Sequence, residues 1–324
     1  MNVDIINPCT HPHWDDLLLT APRASFFHTT AWARVLQEAY GYTPLYFATI
    51  NEGRLEGLIP VMQIDSFLTG RRGVSLPFTD FCPLVAADRG SFQALWERVR
   101  EYGCEQGWKS IELRGGSDRI GKAPSFSVHI VHRLKLGPDD TIVSAGFRSS
   151  TRRNIRKAES AGVGVSLLFT RDSVDAFYRL NCLTRKRHGL PPQPRSFFEK
   201  IFEHVISRHK GFVVLADCDG RAVAGAVYFH FNGECIYKYG ASDQAAQHLR
   251  PNNLAMWAAI KWGCRSGQTA FHFGRTEPEN QGLLQFKRGW GTIEEELHYY
   301  KYDLKNGRFR SENSGPEAPT GCLE

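Results

Sequence analysis

The sequence predicts an α+β fold built from two similar halves, because two local patterns occur twice in the same order. Residues 102–107 (YGCEQG) lead into the alternating segment 111–113, and residues 262–267 (WGCRSG) lead into 271–273. Each is typical of a helix that ends at a glycine turn before a strand. Apolar runs joined by an acidic or amide residue and glycine, near 53 and near 220, predict two hairpins. The offsets between copies, 160 and 167 residues, are nearly equal and indicate a duplication.

The elements of each half follow from periodicity and turn residues. In the first half we predict a helix over 30–40, hairpin strands over 45–50 and 57–64, and a helix over 91–106. In the second half we predict helices near 150–161, 173–188, 195–209 and 252–265, and strands near 212–217, 222–231, 234–240, 269–274 and 296–303. The Gly-Pro at 137–138 marks the boundary, so the predicted domains are 1–137 and 138–304, with a loose tail over 305–324. Completion of the first domain by part of the C-terminal segment is left open.

Composition narrows the class of protein. The 324 residues are 42% hydrophobic, and no apolar run approaches the length of about 20 residues that a membrane span needs. The first 16 residues carry acids without a basic segment, which argues against a secretory signal. Eight scattered cysteines form no CxxC pair, so we expect no structural metal, no disulfide framework and a cytoplasmic location, with peripheral contact at the inner membrane left open. We also expect no cofactor.

Charge is concentrated in the second half of the chain. Residues 1–140 contain 14 basic and 16 acidic residues, whereas residues 141–324 contain 26 basic and 18 acidic residues. The second half is therefore expected to meet an anionic ligand, although solubility alone also explains a basic surface.

Two basic segments are candidates for anion binding. At 149–158 a helix start places Arg152, Arg153 and Arg156 close together, where backbone N–H groups and arginines can hold a phosphate. Residues 176–198 contain five basic side chains, including Arg187 and Arg195, and no acid. In both segments the alternative is a solvated basic surface.

Two further groups are candidates for ligand contact. Tyr237 and Tyr239 follow each other on one predicted strand face, where cross-strand packing is the alternative to ligand binding. Residues 271–291 (FHFGRTEPENQGLLQFKRGWG) predict a strand that ends at Gly-Arg, then a polar loop, then a turn that carries Phe286, Lys287 and Arg288. Together with Arg275, this basic turn can bind an anion or a developing oxyanion.

Several common catalytic motifs are missing from the sequence. There is no G-x-x-x-x-G-K-[ST] loop, no G-x-G-x-x-G after a strand and no G-x-S-x-G elbow. His11 and His13 form the one close histidine pair, without partners for a metal site. The sequence therefore argues against nucleotide hydrolysis, dinucleotide chemistry and serine-type catalysis.

Five segments together resemble the Fem family of peptidoglycan interpeptide-bridge aminoacyltransferases, in the FemAB-like branch of the GNAT superfamily. They are residues 26–36, 148–163, 177–198, 237–242 and 271–291, which span most of the chain. The last segment is most similar to FemAB-like proteins associated with exopolysaccharide and protein-sorting systems. The resemblance implies two tandem GNAT-like domains, each a mixed, mostly antiparallel sheet flanked by helices.

The resemblance also implies a reaction and site residues. An amino acid is transferred from aminoacyl-tRNA to an amine of a nucleotide-linked or lipid-linked cell-wall precursor. The family's Phe-Lys pair corresponds to Phe286 and Lys287, so Lys287 would stabilise the oxyanion and Phe286 would shape the channel. The first domain would bind the acceptor and the second the donor. In the family, a lysine that helps to bind the precursor's phosphates follows the pair that corresponds to Trp32-Ala33. Leu36 stands in its place here, and Arg34 is the candidate to take over its role. This difference argues against a nucleotide-linked acceptor.

Two alternatives stay open. One is a GNAT-like N- or O-acyltransferase of exopolysaccharide or envelope biosynthesis that uses an acyl-CoA or other thioester donor. The acetyl-CoA loop [RQ]-x-x-G-x-[GA] is not evident in the sequence, which counts against it. The other is a non-catalytic protein that binds anionic precursors.

Overall fold

The structure, a computed structural model, describes residues 2–311. Its elements in chain order are β1 (Asp4–Ile6), α1 (Trp14–Leu19), α2 (Thr30–Tyr40), β2 (Thr43–Asn51), β3 (Arg54–Ile64), β4 (Arg72–Val74), β5 (Val85–Ala86), α3 (Arg89–Glu105), β6 (Ser110–Arg114), α4 (Ser117–Ile120), β7 (Ser127–Lys135), α5 (Asp140–Ala145), α6 (Ser149–Ser160), β8 (Gly164–Leu168), α7 (Arg171–Arg187), α8 (Arg195–Ile201), β9 (Gly211–Cys218), β10 (Arg221–Phe231), β11 (Glu234–Ser242), α9 (Pro251–Arg265), β12 (Ala270–Thr276), α10 (Gln281–Arg288), β13 (Ile293–Asp303) and β14 (Arg308–Arg310).

The chain forms two compact units, and neither is continuous in sequence. Among the described residues, the first unit comprises 2–24, 42–129 and 296–311, and the second comprises 25–41 and 130–295. These bounds differ from the continuous spans 1–137 and 138–304. Residues 25–41, from the first half of the chain, belong to the second unit, and residues 296–311, from the second half, belong to the first unit. Helix α2 packs within the second unit, and most of β13 completes the first.

The two units have the same strand order. In the first unit the order is β1-β2-β3-β4-β6-β13, and in the second it is β8-β9-β10-β11-β12-β7. Neighbouring strands run antiparallel within each unit except β4 with β6 and β11 with β12, which are parallel. Each unit is thus a mixed, mostly antiparallel sheet flanked by helices, and the predicted α+β fold is confirmed.

Each unit has its own apolar core. In the first unit, Phe47, Ile59, Leu95 and Ile111 are fully buried between the sheet and α3. In the second unit, residues of β9, β10 and β12 pack against α6 and α9, and the fully buried side chains there include Phe212, Tyr228, Phe271 and Trp290. The opposite face of β10 carries Phe229, which stacks on Phe26 at 4.4 Å between ring centroids.

Strong local signals fixed most element bounds. Helix α2 begins after Thr29, whose hydroxyl accepts a hydrogen bond from the Trp32 N–H, and ends at Gly41 with a φ of 70°. The predicted tail is partly structured, since Arg308–Arg310 pairs with β13. The remainder of that predicted tail, 312–324, lies outside the described residues.

Candidate functional site

Lys287 lies near the end of a short helix, so the turn predicted here was wrong, although the predicted polar loop is present over 277–280. Helix α10 begins after Asn280, whose side chain accepts a hydrogen bond from the Leu283 N–H at 3.1 Å. Leu284 and Lys287, three residues apart, are the buried side chains of this helix. The cap therefore starts a helix that turns Lys287 toward the sheet.

The ammonium group of Lys287 is held at the end of strand β12. Its Nζ donates hydrogen bonds to the carbonyl oxygens of Gly274 at 2.9 Å and Arg275 at 3.1 Å, and the residue is only 2% exposed. Burying an ammonium is costly unless polar groups replace its hydration shell, and the two carbonyl oxygens are such groups. The nitrogen is therefore fixed in position before any ligand binds.

A glycine bulge aims these carbonyls. Gly274 has a φ of 70°, a left-handed conformation that glycine adopts at low cost. Its N–H donates to Nδ1 of the buried His272 at 2.9 Å, and the pairing of β12 with β7 shifts register between His272 and Arg275. An ordinary strand would point consecutive carbonyls in opposite directions, so the bulge allows one amine to bind both.

The parallel pair next to Lys287 opens along its length. Among the described residues, β11 and β12 pair only over 234–236 and 270–272, although the strands continue to Ser242 and Thr276. Lys287 binds β12 in the part that follows the paired segment. Beside the ammonium, β11 and β12 are therefore no longer paired with each other, although each still pairs with its other neighbour.

A charged network lies beside Lys287. Arg288 donates to both carboxylate oxygens of Glu294, at 2.6 and 2.8 Å, and His132 Nε2 lies 3.1 Å from Glu294 Oε2. Burial lowers the pKa of His132 below its ordinary value, and the charge of Lys287 lowers it further. The Arg288 hydrogen bond lowers the pKa of Glu294. His132 is therefore neutral and Glu294 ionised at neutral pH.

Sequence reasoning missed Glu294, His132, His272 and the role of Gly274. The predicted strand began at 296, which left Glu294 in a loop, whereas β13 begins at Ile293. His132 lies on β7, a strand that was not predicted at all. The one available signal was the glycine directly after the alternating residues 271–273, which is typical of a bulge.

Phe286 packs against the apolar core of the second unit rather than into open solvent. It is partly buried against the second unit's core, with its ring edge-on to Trp290 at 5.9 Å. Trp290 in turn contacts Phe147 at 5.1 Å. These ring contacts fix the end of α10, the helix that carries Lys287.

The start of α6 is bound to the segment that follows Lys287. The Arg148 N–H and the Thr151 hydroxyl both donate to the Gly289 carbonyl, at 3.0 and 2.9 Å. The Arg152 guanidinium donates to the carbonyls of Ala145 at 3.0 Å and Phe147 at 2.5 Å, near the end of α5. Arg152 therefore holds local backbone, while Arg153 and Arg156 are exposed and remain candidates for an anion.

The second basic segment, 176–198, contains no acid in sequence but has acidic side chains next to it in the structure. Arg195 pairs with Asp175 at 3.2 Å and Glu199 at 3.3 Å, residues that lie just outside the acid-free stretch 176–198. Arg187 is exposed beside His188 at the end of α7. Arg195 also lines a surface cavity of about 580 Å³ with Asp175, Tyr178, Arg179, Cys182 and Leu183.

The two tyrosines do not share a face, which corrects the sequence prediction. The pairing of β10 with β11 shifts register between Val227 and Tyr228. Tyr237 contacts Tyr228 at 5.6 Å in the core beneath α9, whereas Tyr239 contacts Phe198 at 5.5 Å on the α8 side. The extra residue in β11 reverses the alternation, so residues two apart face opposite sides.

The remaining predicted residues lie in different settings. Trp32 is fully buried and contacts Phe197 at 6.0 Å, whereas Arg34 is exposed on α2 and Leu36 is fully buried. Arg275 pairs with Glu277 at 3.0 Å at the end of β12. Trp32 thus contributes packing. Leu36, which stands in the place of the family's lysine, lies inside the core.

One cluster in the described residues has the composition of a metal site. Ligand atoms of Glu38, Glu203 and His204 lie within 4.8 Å of one another. The Lys200 ammonium, however, is 3.0 Å from Glu38 and 2.6 Å from Glu203. Lys200 supplies the positive charge that the two carboxylates need.

Comparisons with known proteins agree with this geometry. A family model described as an acetyltransferase (GNAT) domain matches residues 145–288, which end just after Lys287. The chain is 30% identical over 93 residues to a lipid II:glycine glycyltransferase of Staphylococcus epidermidis. That match covers 26% of this chain and 22% of the relative, so it spans about a fifth of the relative's own length.

Two solved structures share the fold along nearly the whole chain. A crystal structure of FemX superposes with a TM-score of 0.75 at 16% identity, covering 94% of this chain and 98% of that one. A tandem GNAT protein from the clavulanic acid biosynthesis pathway has a TM-score of 0.58 at 12% identity, covering 94% and 99%. At these identities the likeness establishes the fold alone.

The repeated strand order, the diverging parallel strands and the matching domain model define the class as a tandem GNAT fold. The chain is similar to the FemAB-like family in three respects: the GNAT-domain match over 145–288, the partial likeness to a lipid II:glycine glycyltransferase, and the fold shared with FemX. No helix within residues 2–311 has both the length and the apolar composition that crossing a membrane would require.

Proposed function

We propose that the protein is an aminoacyltransferase of Fem type, which transfers an amino acid from aminoacyl-tRNA to an amine of a peptidoglycan precursor. The observation that carries the proposal is the buried Lys287 ammonium, fixed by two carbonyls at the end of β12. The relative's name, lipid II:glycine glycyltransferase, supports both the type of group transferred and the acceptor class.

The reaction needs an oxyanion stabiliser more than a protein nucleophile. The acceptor amine attacks the carbonyl carbon of the aminoacyl ester, forms the C–N bond and leaves negative charge on the carbonyl oxygen. That intermediate collapses by breaking the ester C–O bond. The ribose hydroxyl departs with a proton, and the nitrogen loses one. Lys287 would stabilise the oxyanion, and its buried setting makes that charge interaction stronger than it would be in water.

The exposed arginines suit a donor that is held through phosphates. Arg153, Arg156 and Arg187 are exposed on the second unit, which carries the net positive charge. Arginines bind phosphate oxygens in bidentate geometry, and such contacts weaken steeply with salt. A tRNA donor therefore predicts strong salt sensitivity of turnover.

The acceptor is more consistent with a lipid-linked precursor than with a nucleotide-linked one. Leu36, in the place of the family's phosphate-binding lysine, is fully buried, and Arg34 is exposed on a different part of α2. A lipid-linked acceptor would bring the protein to the inner membrane face as a peripheral protein.

A CoA-dependent acyltransferase of exopolysaccharide or envelope biosynthesis is the second candidate. The matching model's description as an acetyltransferase domain favours it. In that reaction Lys287 would stabilise the oxyanion that forms on the thioester carbonyl oxygen.

One experiment separates the candidates. The full-length protein is incubated with a labelled aminoacyl-tRNA pool or with labelled acyl-CoA, each with lipid-linked or nucleotide-linked precursor. We expect label transfer from aminoacyl-tRNA to the lipid-linked precursor, and a sharp loss of transfer as salt rises. Transfer from acyl-CoA alone would reject the tRNA donor. Precursor binding without transfer from either donor would identify a binding protein.

A further inference from the structure

The turn between β3 and β4 exposes two adjacent large apolar side chains. Phe67 is 103% exposed and Leu68 is 89% exposed, relative to the fully extended reference. Full burial of each such side chain is worth about 1.5–3 kcal/mol, so leaving both in water forgoes a large stabilisation. The other exposed large hydrophobic residues of the described chain are single and less exposed, at 48–72%: Leu19, Ile142, Leu183, Leu190 and Ile293.

The turn is ordered, so the exposure is built into the backbone. The Gly70 N–H donates to the Ser66 carbonyl at 2.7 Å, and Gly70 has a φ of 76°. The Thr69 N–H donates to the Ser66 hydroxyl at 3.3 Å. These bonds close residues 66–70 into a tight turn with Phe67 and Leu68 at its tip.

Cations surround the base of the same turn. Arg72 donates to the Thr69 hydroxyl, and Arg71 binds both Asp65 and the Gln106 carbonyl. Lys109 is exposed, and its Nζ lies against the turn, 2.7 Å from where a Cβ on Gly70 would stand. The surface formed by 65–72 and Lys109 thus combines an apolar tip with three cations and one acid.

We propose that this surface, residues 65–72 with Lys109, is a contact site for an anionic lipid bilayer. Phe67 and Leu68 would enter the boundary between headgroups and acyl chains, while Arg72 and Lys109 bind headgroup phosphates. Interfacial binding strength follows buried apolar area together with attraction to anionic lipid, and this turn provides both. The proposal depends neither on Lys287 nor on the identity of the acyl donor.

Vesicle sedimentation of the full-length protein tests the proposal. Sucrose-loaded vesicles are made from phosphatidylcholine alone or with about one third phosphatidylglycerol. We expect the wild type to partition at least about tenfold more strongly onto the anionic vesicles. F67S/L68S should lower that partitioning about tenfold or more, through lost apolar insertion. R72Q/K109Q should lower it about thirtyfold and remove its salt dependence.

Matched controls exclude a general effect of surface polarity. L19S and L183S each remove a single exposed leucine elsewhere and should leave partitioning unchanged. The substituted side chains are exposed, apart from the half-buried Arg72, so thermal unfolding should stay close to wild type. In an F67W variant, brominated lipid should quench tryptophan fluorescence more than in the wild type.

Three results would overturn the proposal. One is a wild type that fails to sediment with anionic vesicles. Another is F67S/L68S that sediments as the wild type does. The third is self-association or capture of a purified protein that depends on Phe67 and Leu68 without lipid binding, which would make the turn a protein interface.

Discussion

The helix-to-strand corner of the first unit and that of the second unit have the same backbone hydrogen bonds. In the first, the N–H groups of Gln106, Gly107 and Trp108 donate to the carbonyls of residues 102, 104 and 103. In the second, the N–H groups of residues 266, 267 and 268 donate to the carbonyls of residues 262, 264 and 263. Every bond is displaced by 160 residues, so the repeat seen in sequence is a repeat of geometry.

The correspondence extends to the strand that covers each corner. A Cβ on Gly103 would lie 3.0 Å from the Leu304 side chain, and a Cβ on Gly263 would lie 2.8 Å from Leu136. Leu304 follows β13 and Leu136 follows β7. The same packing position is thus filled from the C-terminal segment in the first unit and from residues near the middle of the chain in the second.

The two corners differ at the far end of the strand. At the end of β6, Arg114 donates to the Thr79 carbonyl at 2.8 Å and its guanidinium lies over the Tyr299 ring. Near the end of β12, the chain forms the Gly274 bulge, and Lys287 of α10 binds the carbonyl of Gly274. The common scaffold therefore carries a structural cation in one unit and a buried, carbonyl-held ammonium in the other.

The largest expected effect contrasts these two cations. Lys287→Met should lower turnover by roughly a hundredfold or more, which corresponds to about 3 kcal/mol of transition-state stabilisation. Arg114→Met should lower stability while it leaves turnover per folded molecule near wild type. Single-turnover transfer assays combined with denaturant unfolding measure both quantities. Equal activity losses in the two variants would show that Lys287 has no special catalytic role.

The next effect concerns the contact between the end of α10 and the start of α6 in the second unit. A Cβ on Gly289 would lie 2.5 Å from the Thr151 hydroxyl, so Gly289→Ala should cost about 1–3 kcal/mol of unfolding free energy. Thr151→Ala removes the oxygen, and the double variant should be less destabilised than the sum of the single changes. Strictly additive losses in urea unfolding would contradict this account.

The smallest effect tests the equivalence of the corners. Gly107 and Gly267 have φ values of 67° and 74°, and a Cβ on either meets no atom within 4 Å. Alanine at each position should therefore cost about 1 kcal/mol, from left-handed backbone strain alone. Calorimetry of the two single variants should give similar values. A difference larger than about 1 kcal/mol would mean that the corners differ energetically despite their shared geometry.

Local elements were predictable where one strong signal acted alone. Helix α2 has the predicted bounds because a threonine cap and a left-handed glycine frame it. Helix α10 was missed because its eight residues follow a proline-containing polar stretch, and its one cap, Asn280, resembles a turn residue. Strand β7 was not predicted, although Val128, Ile130 and Leu134 alternate along it and could have indicated a strand.

The site shows the same limit at the level of side chains. The sequence identified Lys287 and Phe286 as neighbours in a basic segment but could not supply the carbonyls of Gly274 and Arg275, which a backbone bulge presents. Arg152 had the sequence pattern of an anion binder, yet its donors reach the end of α5. A bulge in β11 likewise placed Tyr237 and Tyr239 on opposite faces.

The sequence by itself determined the duplicated α+β pattern, most helix and strand bounds, and the segment that carries Lys287, because these depend on local periodicity, caps and turns. The tertiary structure decided which half of the chain supplies the last strand of each unit, and which cations are held by carbonyls or carboxylates. It also decided that Phe67 and Leu68 stay exposed. These outcomes depend on contacts between residues distant in sequence, which no local pattern encodes.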